Sequence, residues 1–189
     1  METMVEQTTL EPESKLKEKE SMFEQQVADA LAKKHPLLAQ EYVKHKATPN
    51  LCFKRSFHHI LGMQYSTSNN LARKNVVDKR YAKFRSQSMN VLFIYDTMDK
   101  KFVSTLCHRG NYVPTIYTVN GKVDADKWFL DDMDEICTHG IHFYLTLQAA
   151  ICHNPWSNYA PNFSDNGVYQ SPIDWYAFEN CDFVTSPTM

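Results

Sequence analysis

The chain has 189 residues, a formal net charge of −2, 43% hydrophobic residues and 13% aromatic residues. That length and apolar content suit one packed domain with a helical extension and exclude a disordered chain. The near-neutral charge gives no global pull toward nucleic acid. With only 5 glycines, and neither G-x-x-x-x-G-K-[ST] nor G-x-G-x-x-G present, nucleotide binding through those phosphate loops is excluded.

Residues 1–12 are polar and read as a loose start. The opening Met1-Glu2-Thr3-Met4-Val5-Glu6 is acidic and lacks an apolar run, so it is not expected to be a signal peptide. From about Glu13 to Lys34, Leu16, Phe23, Val27 and Leu31 recur at helical spacing. Pro12 and Glu13 suit the helix start, and Lys33 and Lys34 suit its last turn. His35-Pro36 ends it. A second short helix is expected from about Leu37 to His45, closed by Thr48-Pro49-Asn50. The amphipathic stripe suits packing on the chain's own core or docking on a partner.

Ten cations between Lys54 and Lys101 face only Asp78, Asp96 and Asp99. Within this stretch Met89-Asn90-Val91-Leu92-Phe93-Ile94-Tyr95 is the best strand, continuous and apolar enough to be central in a sheet. Asp96-Thr97-Met98-Asp99 reads as a turn, with Lys101–Leu106 pairing back. Tyr112–Val119 is another strand, and Pro114 suggests an edge. Asn120-Gly121 is a strong turn signal.

Residues 122–135 swing acidic, with six Asp or Glu against Lys122 and Lys127. They lack the order of acids and glycine of an EF-hand loop and read as a solvated acidic loop. Gly140 then leads into a strand from Ile141 to Leu145 and a helix from about Thr146 to His153, with Thr146 as N-cap. Asn154-Pro155 stops that helix. The segment from Trp156 onward carries Trp156, Tyr159, Phe163, Tyr169, Trp175, Tyr176, Phe178 and Phe183. It reads as packed irregular structure against the sheet or a partner.

Three constellations bear on chemistry. Cys137, His139 and His142 are candidate metal ligands, but zinc needs four donors converging tetrahedrally. No C-x-x-C or H-x-x-x-H knuckle occurs, so no metal site is expected. A Cys–His nucleophile would need Cys137, Cys107 or Cys52 beside His142, His108 or His58, which adjacency in sequence does not supply. Arg73, Lys74, Lys79, Arg80, Lys83 and Arg85 interleave with Tyr81 and Phe84 as phosphate-contacting and stacking residues do. The plainer reading is a solvated face or ion-pair partners for the acidic stretch. The five cysteines are odd in number and scattered, which favours free thiols in a reducing compartment. The Asn162-Phe163-Ser164 sequon reads as chance without a secretory route. No run of 18 apolar residues occurs, so no transmembrane helix is expected.

Asn120-Gly121-Lys122-Val123, Asp126-x-x-Phe129, Asp131, and Cys137-x-x-Gly140-Ile141-His142-Phe143-Tyr144-x-Thr146 with Ala149 resemble an uncharacterised domain of nucleocytoplasmic large DNA viruses. Its members carry a C-x-x-G-I-H-F-[FY]-x-T signature after a glycine turn and an acidic lead-in. The basic segment from Ala72 to Lys83 is similar to one that precedes a strand there, so the resemblance covers about residues 67–153. It implies a giant-virus protein of the host cytoplasm or the virion, and assigns no activity. A looser similarity connects Gly140-Ile141-His142-Phe143 and Ala149 or Ala150 with ADP-ribosyltransferases. It implies His142 and Tyr144 near nicotinamide and Glu179 as catalytic acid.

The sequence thus predicts an α+β fold: a small mixed or antiparallel sheet with flanking helices. Residues 1–49 form an N-terminal helical arm, and residues 50–189 the α+β domain with an aromatic-rich C-terminal wrap. The expected function is that of a non-catalytic viral structural or interaction protein, a minor capsid-associated component whose partners are other viral proteins, with no cofactor. The alternatives are an ADP-ribosyltransferase-like enzyme and a nucleic-acid-binding protein using the 73–85 stretch.

Overall fold

The computed structural model describes residues 25, 28–108, 114–128, 133–152 and 164–167. Most of the expected first helix, most of the aromatic segment after His153, and Glu179 lie outside the described residues. The fold is α+β, as the sequence predicts: a curled antiparallel sheet with few helices.

The strands are β1 (Leu51–Ser56), β2 (His59–Tyr65), β3 (Lys83–Ser86), β4 (Ser88–Asp96), β5 (Lys101–Phe102), β6 (Thr105–His108), β7 (Thr115–Thr118), β8 (Lys122–Asp124) and β9 (Ile141–Tyr144). The main sheet runs β3-β9-β1-β2-β4-β5, with β8 paired to the start of β4, and β6 and β7 form a separate ribbon. β4 is the expected central strand. Its partner β2 and the hairpin mate β1 were not legible as strands.

Side chains alternate between the faces, as the pleat requires. One face gathers Cys52, Leu61, Met63, Phe84, Ile94 and Phe143, covered by Tyr117 of the ribbon. The other gathers Phe53, Ile60, Phe93, Tyr95 and Tyr144, and the helices cover it. Helix α1 (Pro36–His45) begins with Pro at its first turn, where no N–H is lost, and buries Leu38 completely. Helical turns over 28–34 bring Leu31 to the same cluster. The described part of the expected arm therefore lies against the sheet. Helix α2 (Leu147–Cys152) is capped by Thr146, whose Oγ1 accepts from Ala149 N at 3.2 Å. Among the described residues, no helix is long and apolar enough to cross a membrane.

Two glycines are set by their surroundings. Gly62 pairs with Phe93 across β2 and β4, and a Cβ there would fall 2.1 Å from the Phe93 ring. Gly167 has φ +81°, and its Cβ would fall 2.2 Å from the Asp78 carbonyl oxygen.

Candidate functional site

The signature segment folds as a tight corner. Gly140, at φ 106°, turns the chain into β9. Ile141 and Phe143 enter one core cluster, while Tyr144 enters the other at 5% exposure. His142 shares a 3.0 Å hydrogen bond with the Ile136 carbonyl. Burial, with Lys54 and Lys83 nearby, holds its ring neutral, its pKa lowered to about 3. His139 Nδ1 lies 2.7 Å from Asp126 Oδ2. Lys83 Nζ donates to Cys137 Sγ at 3.1 Å and pairs with Asp165 at 3.0 Å. Cys137, His139 and His142 thus turn to three different partners.

The basic stretch is occupied in the same way. Arg73 is 5% exposed and donates to Asn166 Oδ1 at 2.7 Å and to the Asp165 carbonyl at 2.6 Å, with its guanidinium over Phe84. Lys74 pairs with Asp134 at 3.3 Å and Arg80 with Asp78 at 2.7 Å. Arg85 is fully buried and donates to the His139 carbonyl at 2.7 Å. Lys79 is exposed. The side chains that suggested phosphate contacts mostly tie residues 70–85 to 134–142 and 164–167.

Two nucleophile arrangements can be weighed. Burial pushes the Cys52 thiol far up, which keeps it protonated and inert. Ser56 Oγ and His108 Nδ1 stand 2.6 Å apart, the contact a nucleophile and base need. Burial and Lys54 lower His108 to about 4, so its ring is neutral. Yet Ser56 is 1% exposed, and no substrate atom reaches that hydroxyl without opening the sheet. Lys54 itself is 9% exposed and donates to the His142 carbonyl at 3.4 Å, and burial lowers it to about 8.

One end of the sheet is different. The β1–β2 turn is Phe57-His58, and the β4–β5 turn follows Asp96. Thr97 joins them, donating from N at 2.9 Å and from Oγ1 at 2.5 Å to the His58 carbonyl. Around these turns Phe57 is 46% exposed, Met98 49% and Phe102 40%. Phe57 also has φ 54°. In a two-residue hairpin turn that position is ordinarily glycine, because a Cβ crowds the backbone there. Between the turns His58, His59 and Asp96 converge, their ligand atoms within 4.8 Å of one another. Sequence reasoning passed over this group. In the sequence His58 reads only as a candidate base and Asp96 only as a turn residue, and nothing local announces that β2 and β4 pair with His59 opposite Asp96.

Among known proteins, no family model, no curated protein and no solved structure matches the chain.

Proposed function

We propose that the chain is a non-catalytic interaction protein whose contact surface is the end of the sheet formed by the β1–β2 and β4–β5 turns. The observation that carries this reading is Phe57. A bulky aromatic held at positive φ in a tight turn costs on the order of 1 kcal/mol or more, and such strain collects where function needs it. Its ring lies 6.1 Å from that of His108 and stays 46% exposed, as Met98 and Phe102 of the neighbouring turn do, and aromatic residues and Met are the types enriched where proteins meet. The internal engagement of Arg73, Lys74, Arg80, Lys83 and Arg85 favours this reading over nucleic-acid binding. The resemblance of the Cys137–Ala149 segment to the giant-virus domain supports a virion as the setting, with other viral proteins as partners.

The test is site-specific photo-cross-linking with the full chain in infected cells. A photoreactive residue at Phe57 or Met98 is expected to capture a defined virion protein. One at Lys122, on β8 beside the opposite end of β4, is expected not to. Equal labelling at all three positions, or none at Phe57 and Met98, contradicts the proposal.

A further inference from the structure

The same end of the sheet carries a second, independent arrangement. His59 Nε2 lies 3.6 Å and His58 Nε2 3.7 Å from one oxygen of Asp96, too far for hydrogen bonds. A zinc-class ion sits about 2.1 Å from nitrogen and oxygen donors, which separates tetrahedral neighbours by about 3.4 Å. The two spacings to Asp96 lie close to that edge, and all three ligand atoms fall within 4.8 Å of one another.

The surroundings fit as well. The other Asp96 oxygen accepts from Met98 N at 2.9 Å and Asp99 N at 3.1 Å, which fixes the carboxylate and leaves Oδ2 for the site. His59 Nδ1 is buried without a hydrogen-bond partner, while Nε2 lies toward Asp96. Nε2 is therefore the nitrogen turned to the site. The Asp96 side chain is 10% exposed and that of His59 13%, while that of His58 is 37% exposed and leaves a way in. Two imidazoles and one carboxylate suit borderline divalent transition metals better than calcium or magnesium, which want oxygen ligands.

We propose that His58, His59 and Asp96 form a binding site for a divalent transition-metal ion of the zinc class, joining the β1–β2 turn to the end of β4. The ion adds a staple between turns already tied by Thr97 and His58, and leaves a coordination position open to solvent. This inference does not depend on the proposed contact function.

The experiment is a zinc titration of the chelator-stripped full chain against a chromophoric competitor, repeated with cobalt. A single tightly held zinc ion per chain is expected, with a raised melting temperature. Cobalt is expected to give visible ligand-field bands without a thiolate-to-cobalt charge-transfer band. His58→Ala changes a surface side chain, and Asp96→Asn keeps the Oδ1 acceptor of the turn, so both variants are expected to fold. Each is expected to weaken zinc binding by more than the ~10–100-fold that loss of an outer-shell partner causes. Cys137→Ser is expected to leave binding unchanged. No zinc uptake, zinc binding untouched by both variants, or a thiolate band with cobalt would each overturn the proposal.

Discussion

Individual buried residues set much of how this fold responds to pH. His142 is held neutral because burial, aided by Lys54 and Lys83, lowers its pKa to about 3. The unfolded chain binds that proton below about pH 6.5 and the native chain does not, so native stability is full above 6.5 and falls as pH drops toward 3. The slope from this one group is about 1.4 kcal/mol per pH unit. His35 and His108, each lowered to about 4 chiefly by burial, act in the same sense. His142→Gln keeps a donor for the Ile136 carbonyl and loses the titration. Its melting temperature between pH 4 and 6.5 is therefore expected to fall less steeply than that of wild type, and an unchanged slope contradicts the assignment. Lys54 acts in the same sense in a higher pH window. Its pKa is lowered to about 8 from 10.5, so the charged amine costs stability below pH 8 and the cost fades as pH rises toward 10.5. Lys54→Met is expected to raise stability at pH 7 by about 1–3 kcal/mol in denaturant melts. A loss of stability would mean that the amine's hydrogen bond to the His142 carbonyl outweighs the cost of burying its charge.

The elements show which sequence signals were sufficient. The apolar run of β4, the Thr146 cap and the glycine before β9 announce themselves, because each depends on residues next to one another. The β1–β2 hairpin does not. Lys54 and Arg55 break its apolar pattern, and its turn is Phe57-His58 where a tight hairpin ordinarily uses glycine or asparagine. β3 was hidden for the same reason, since Lys83 and Arg85 read as a basic stretch until the fold buries Arg85. Two predictions follow from backbone fit. Phe57→Gly relieves the positive-φ cost and is expected to raise stability by about 1 kcal/mol, measured by chemical denaturation. A destabilised variant would show that the ring's contact with His108 outweighs the backbone strain. Gly62→Ala drives a methyl into the Phe93 ring and is expected to cost about 1–3 kcal/mol. A neutral result would show that the ring moves aside freely.

At the scale of the whole molecule, the sheet is a scaffold that, among the described residues, has helices on one face and a ribbon on the other, with exposed apolar side chains at one end. The candidate site was the least legible part of the sequence. Asp96 lies 38 positions from His58 and only strand pairing brings them together, whereas Cys137, His139 and His142 stand close in sequence and diverge in space. The same divergence bears on nucleic acid. With Arg73, Lys74, Arg80, Lys83 and Arg85 engaged within the chain, the protein is expected to show no binding to single-stranded nucleic acid at low salt. Tight, salt-dependent binding in a filter or fluorescence assay would contradict that assignment. The most direct test of the contact surface is the amount of chain incorporated into purified virus particles, compared between wild type and Phe57→Gly. The variant is expected to be at least as stable as wild type yet depleted from particles, because only the projecting ring has gone. A stable variant incorporated at the wild-type level would contradict the proposed function.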